Sequence, residues 1–353
     1  MTVPSSQDPP PAGASPPAPA RRRRSRWSIL VITLAWLVLA VAGVWATLAL
    51  WFDVRIEALR LPLATAYVVA FLAIPIATPR QRWALPTSAA LFLIVLGWWF
   101  TLKPTNDADW QPDVATLPWA EFKGEQVTVH NVRNCLYRTE ADYDVRLEDR
   151  TYDLSRIQSL DLFLVHWGSP LIAHTMVSFG FEGGDYLCIS IEVRKKKGQS
   201  YSALRGFFRQ FELTYIIADE RDLVALRTDF RKGEDVYLYR LNPLPGMPRK
   251  ILTAYLENAT EFRDHPHWYN AATSNCTTNI FVNADEARGN KIPFDWRMLA
   301  NGYIDELLFE RGKIVGTGPF PDLKARAYIN PKASKLPLDE HFSAAIREGV
   351  TPP

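Results

Sequence analysis

The chain has 353 residues, 40 Lys and Arg against 38 Asp and Glu, a formal charge of +2, and 3 cysteines. Such a length implies two or three structural units. The balanced charge excludes wholesale electrostatic capture of nucleic acid, and so few cysteines exclude a disulfide-stapled miniprotein or a zinc ribbon.

Residues 1–20 are rich in Pro, Ser and Ala and cannot bury enough surface to fold. Arg21, Arg22, Arg23, Arg24 and Arg26 follow, so residues 1–26 read as a disordered basic tail. Residues 27–52 are an apolar run without charge. As a helix it extends roughly 39 Å, more than the ~30 Å hydrocarbon core. Two further apolar runs cover residues 61–78 and 83–102, with Trp27, Trp51, Trp83, Trp98 and Trp99 near the run ends, where interfacial belts place tryptophan. A cleaved signal peptide would be shorter and would not be followed by more such runs. Residues 27–102 are therefore expected to be a three-helix transmembrane anchor. Arginines crowd the N-terminus, and Arg80 and Arg82 stand in the second joint without an acid, whereas the first joint mixes Asp53 and Glu57 with Arg55 and Arg60. This asymmetry predicts a cytoplasmic N-terminus and residues 103–353 on the periplasmic side of a bacterial inner membrane.

In residues 103–353 the pattern predicts strands at 126–132, 160–167, 174–181, 186–193, 213–218 and 235–241. The third and fourth form a hairpin across Glu182, Gly183, Gly184 and Asp185. Helices are expected at 201–210, at 247–263, from Cys276 behind a Ser274–Asn275 cap, and within 293–310. The fold class is α+β. Trp110 and Trp119, soon after the last run, are candidates for the membrane interface.

Cys276 carries the chemistry. A thiol where a cap hands over to a helix feels the positive end of the dipole and unpaired N–H groups, which favour the thiolate and can hold an oxyanion. Asn275 contributes to that N–H cluster. His174, at the start of a strand, is the best-placed base among 6 histidines. A cysteine on a helix start with a histidine on a strand is the papain-like pairing; here the histidine comes first, as in circularly permuted members. Glu192 is the candidate to orient His174, and the turn decides. A two-residue turn at Gly183–Gly184 puts Glu192 on the other face, whereas a three-residue turn over residues 182–184 puts it opposite His174. Arg221 is a candidate for an anionic substrate group or for pairing with a structural acid. Cys135 and Cys188 can pair in an oxidising compartment or equally serve as core residues. A competing reading is a metallohydrolase built on His265 and His267 beside Asp264, although a helical HExxH is absent. No Walker loop, GxGxxG, EF-hand or GxSxG motif occurs, so no cofactor is expected.

Ile172-Ala173-His174-Thr175, Ser190-Ile191-Glu192-Val193-Arg194, Asp219-Glu220-Arg221-Asp222-Leu223 and Ser274-Asn275-Cys276-Thr277-Thr278-Asn279, in this order, resemble the Lnb N-terminal periplasmic domain family. Asn131-Val132-Arg133-Asn134 and Leu136-Tyr137-Arg138 fit its opening segment. The namesake is a membrane enzyme of Gram-positive bacteria that moves an acyl chain within a lipoprotein, from the glyceryl group to the N-terminal amine. The resemblance implies a thiol acyltransferase or hydrolase with Cys276 as nucleophile and His174 as base, acting on a membrane lipid or lipoprotein. The other class of function open to the chain is a catalytically silent envelope scaffold that binds lipid or protein.

Overall fold

The computed structural model describes residues 26–271 and 273–350. Most of the expected basic tail, residues 1–25, lies outside the described residues. Helices α1 (Arg26–Asp53), α2 (Glu57–Ala77) and α3 (Ala84–Thr101) are each long and apolar enough to cross a membrane. They bundle around Ala46, Leu50, Ala64, Tyr67 and Val95, and Gly43 lets the Phe71 ring lie against α1. Outward they present Leu30, Leu34, Leu37, Val41, Leu72 and Ile94. A helix apolar on every side has no water-facing stripe, and lipid suits it.

Beyond the bundle lie ten strands: β1 (Trp119–Lys123), β2 (Gln126–Arg133), β3 (Leu136–Tyr137), β4 (Tyr143–Asp144), β5 (Leu147–Asp153), β6 (Ile157–Trp167), β7 (Ser169–Phe181), β8 (Tyr186–Arg194), β9 (Glu212–Ala218) and β10 (Glu234–Arg240). Eight form one sheet in the order β1-β2-β9-β8-β7-β6-β10, with β5 also on β2, while β3 and β4 make a separate ribbon. The helices are α4 (Glu220–Ala225), α5 (Met247–Asp264), α6 (Cys276–Arg288), α7 (Ile304–Glu310), α8 (Phe320–Ala327), α9 (Asn330–Ala333) and α10 (Phe342–Arg347). The architecture is mixed α+β, as the pattern implied.

Both faces of the sheet are covered, which is why its central strands read as almost continuous apolar runs rather than alternating ones. Leu162, Leu164, Val177, Phe179, Ile189 and Ile191 pack on the side of α5, where Leu252, Tyr255 and Leu256 meet them. Phe163, Val165, Met176 and Cys188 point the other way, towards Leu223, Val224, Ile329, Phe342 and Ile346. On that second side Arg347 is buried with Glu220 at 2.6 Å and Asp161 at 2.9 Å, pinning the C-terminal helix to the sheet.

Two readings change, and one left open is decided. Residues 201–210 are not a helix: only one 3-10 turn forms, at Arg205–Phe207. Gly206 weakens a helix there, and its carbonyl is taken by the Ala271 N–H at 2.8 Å. Trp110 is not interfacial but buried, under the Arg194 guanidinium at 4.1 Å. Cys135 and Cys188 are separate buried thiols.

Candidate functional site

The hairpin decides the position of Glu192. Phe181 N–H donates to the Asp185 carbonyl at 2.8 Å, leaving a three-residue turn over 182–184 with Gly183 and Gly184 at φ 101° and 94°. Those angles favour glycine. The β7–β8 ladder runs from Gly180–Tyr186 to Met176–Ser190 and stops. Two residues further along the same register His174 and Glu192 stand opposite each other, where the strands no longer pair. Asn301 fills the opening: its side chain accepts from Ala173 N–H at 2.9 Å, donates to the Ala173 carbonyl at 2.5 Å, and donates to Thr277 Oγ1. One buried amide thus replaces the missing strand partner and ties β7 to the first turn of α6. Gly302 is required beside it, because a Cβ there would strike the Pro170 carbonyl.

Helix α6 starts on a capping box. Asn275 Oδ1 accepts from Thr278 N–H at 3.0 Å, and Asn275 N–H donates to Thr278 Oγ1 at 2.8 Å. Asn275 Nδ2 donates to the Ala271 carbonyl at 2.9 Å. Asn275 is therefore spent on the cap, and its N–H is not available to a substrate oxygen. The Cys276 and Thr277 N–H groups have no acceptor among the described residues. They are the donors that a helix start leaves over.

The Cys276 thiol and the His174 imidazole are close enough to shift each other's charge. His174 is buried, and its Nε2 lies 2.7 Å from Ser190 Oγ and 3.0 Å from Glu192 Oε1. Ser190 Oγ donates its one proton to Glu192 Oε1 at 2.7 Å, so it accepts from Nε2–H. Nδ1 is then the nitrogen left to exchange a proton with the thiol. Behind Glu192, buried Arg227 donates to Glu192 Oε1 at 2.7 Å and to Glu234 Oε2 at 3.1 Å. Arg227 sits on the π-helical turn Leu226–Phe230 that follows α4. Such widened turns recur where a side chain must be re-aimed.

The electrostatics follow from this chain. Burial works against an imidazolium at His174, but the Glu192 charge, with the nearby thiol adding to it, outweighs burial and raises the group to about 9. Burial likewise opposes a Glu192 carboxylate, yet His174 and Arg227 hold it well below the usual range. Burial would raise Cys276 too, but the neighbouring His174 brings the thiol down. The other two cysteines behave oppositely. Burial with the Asp222 charge behind it pushes Cys135 up to about 12, and burial pushes Cys188 up as well. The arrangement favours a thiolate–imidazolium pair on a half-buried thiol, a competent nucleophile for a carbonyl.

Other candidates lie elsewhere. Arg221 is chelated by Asp219 at 2.7 Å and 2.9 Å, beside Arg150, Asp185 and Tyr186 at the hairpin tip. From His174 to Gly180 the strand covers roughly 20 Å, so Arg221 does not reach the thiol. His265 and His267 share Glu261, at 3.8 Å and 2.9 Å, and His267 stacks on Phe262. No group of three or more ligand side chains is arranged for a metal ion among the described residues. Ser190, Arg227, Thr277 and Asn301 escaped the sequence reading. Only Ser190 had a usable signal, as the alternate residue before Glu192 on the same strand face.

A family model described as the Lnb N-terminal periplasmic domain matches residues 143–302, a stretch that contains His174, Glu192, Cys276 and Asn301. It is the family that the sequence motifs resemble. No curated protein and no solved structure matches the chain.

Proposed function

We propose that this Lnb-type envelope protein is a membrane-anchored thiol enzyme, an acyltransferase or hydrolase that acts on an ester or amide of a lipid or lipoprotein. The observation that carries the reading is the run Cys276–His174–Ser190/Glu192–Arg227, which ends in a thiol at a capped helix start. The Cys276 thiolate attacks the carbonyl carbon, and the oxyanion is held by the Cys276 and Thr277 N–H groups. The tetrahedral adduct collapses to a thioester as His174 gives its proton to the departing alcohol or amine. An incoming amine or water then attacks the thioester, returns a proton to His174 and frees the thiolate. Glu192 orients the imidazole and supports its charge, and Arg227 positions Glu192. The order of histidine before cysteine, with the thiol on a helix and the base on a strand, supports a circularly permuted papain-like arrangement.

The anchor supports the lipid class. Three spans with a cytoplasmic N-terminus leave residues 103–353 on the periplasmic face of the inner membrane, where a lipid-linked donor arrives by two-dimensional diffusion. The test is to purify the full chain from envelope membranes and map Cys276 peptides by mass. A hydroxylamine-labile acyl group on Cys276, absent from Cys276→Ala, is expected. A folded wild-type protein that never carries such an adduct with lipid ester or amide donors would overturn the reading.

A further inference from the structure

We propose that residues 201–209 form an interfacial element that enters the headgroup layer around the C-terminal ends of α1 and α3. Leu204 and Phe207 are its apolar anchors, and Arg205 with Lys103 are its contacts to anionic lipid headgroups.

The depth of this segment is fixed by its neighbours. The Phe208 ring lies 5.1 Å from that of Phe52 and 6.4 Å from that of Trp45. The Arg209 guanidinium sits 4.0 Å over the Trp99 ring and donates to the Leu102 carbonyl. Gln210 Nε2 donates to the Phe52 carbonyl and to Asp53 Oδ1, both at 2.7 Å, and Asp53 also accepts from Trp99 Nε1 at 2.8 Å. Phe52, Asp53 and Leu102 mark where α1 and α3 end, so the chain at 208–210 rests on the rim of the bundle. Leu204, Arg205 and Phe207 lie one to four residues before Phe208. The 3-10 turn over Arg205–Phe207 keeps them close to the rim, where the headgroup layer adds roughly 5–8 Å to each side of the hydrocarbon core.

The exposed surface has interfacial chemistry. Leu204 is 52% exposed, Phe207 46% and Tyr201 45%, although each has a large apolar body. Water is a poor solvent for such a cluster, whereas the membrane interface favours aromatic rings with apolar side chains beside them. Exposed Arg205 reaches the Phe52 ring at 6.0 Å, and neither Arg205 nor Lys103 has a carboxylate within ion-pair distance among the described residues. Cations left unpaired beside an apolar tip suit anionic lipid headgroups at an interface. Continuity with the spans identifies the occupant: lipid already surrounds the helices on which the segment rests.

This surface is joined to the thiol. Gly206 accepts from Ala271 N–H at 2.8 Å, and the hydroxyls of Tyr201 and Tyr269 meet at 3.2 Å. Ala271 in turn accepts from Asn275, the cap of α6. The element therefore sets the approach to Cys276 at the level of the lipid headgroups, a consequence that rests on the thiol reading, whereas the membrane contact itself does not.

The test uses the wild-type full chain in nanodiscs of phosphatidylethanolamine and phosphatidylglycerol that carry a diazirine near the glycerol end of the acyl chain. Photolysis followed by peptide mapping is expected to place lipid adducts on α1, α3 and residues 201–209, with none at exposed Leu244, which precedes α5. Cys276→Ala should give the same footprint, so a failure of the thiol chemistry would leave this result intact. Adducts on the spans without any in residues 201–209 would overturn the proposal and point instead to a protein partner or a second copy as the cover.

Discussion

Glu192 faces two cations, and the balance between them sets the pH range of the site. His174 is held at about 9, above the ordinary 6.5, because the Glu192 carboxylate overcomes the burial that opposes its charge. As pH rises through that value the imidazolium loses the proton that the leaving group needs, so acyl-adduct formation on Cys276 should fall on the alkaline side near 9. Glu192→Gln removes the negative charge, lowers the imidazole towards 6.5 and must move this alkaline limb downward. A pH profile of adduct formation checks the sign; an unmoved limb would remove Glu192 from its proposed role. His174→Ala and Cys276→Ala should each abolish the adduct to the same extent, because the two side chains act as one unit. The sequence exposed Cys276 and His174 through local signals, a cap and a strand start. It left Glu192 open because two turn lengths were compatible with Glu182-Gly183-Gly184-Asp185, and only the observed turn brings the carboxylate opposite His174. Arg227 and Asn301 were silent for another reason: each reaches the site through topology, from a π-helical turn and from a 3-10 turn after α6, and nothing in their neighbours marks them.

At the scale of the element, the site depends on a sheet that opens and a helix that is capped. Asn301→Ala would leave the Ala173 N–H and carbonyl buried without a partner and should cost about 2 kcal/mol, read as a lower thermal midpoint in detergent. Asn275→Ala should cost about 1 kcal/mol by loss of the capping box. It should also slow alkylation of Cys276 by loosening the helix start. If Asn275→Ala destabilised the fold but left thiol reactivity unchanged, the cap would have a structural role only. Most strands and helices near the site were legible because their apolar patterns are strong; α6 begins at Cys276, as the cap implied. The segment 201–210 misled because its apolar residues look periodic, yet they serve two masters: Phe208 and Arg209 hold the bundle, while Gly206 holds the loop before α6. β1 and β5 went unread because they lie at the sheet's edge, where Glu121, Glu148 and Arg150 dilute the strand pattern.

At the scale of the molecule, three apolar helices and a periplasmic-type domain are bolted together by Asp53, Trp99, Arg209 and Gln210. A phosphatase reporter fused after Pro353 should be active in the bacterial envelope, and activity only of a cytoplasmic reporter would reverse the proposed orientation. Gln210→Ala should loosen the bolt and raise hydrogen exchange in residues 268–271, since these hang on the same segment; unchanged exchange would separate the anchor from the site. The charge state of Cys276 is read from the rate at which iodoacetamide alkylates that thiol in the full membrane-embedded chain at pH 6. The thiolate–imidazolium pair predicts a rate above that of a free cysteine, lost in His174→Ala. A wild-type rate that matches free cysteine at pH 6 and rises only as an ordinary thiol ionises would contradict it.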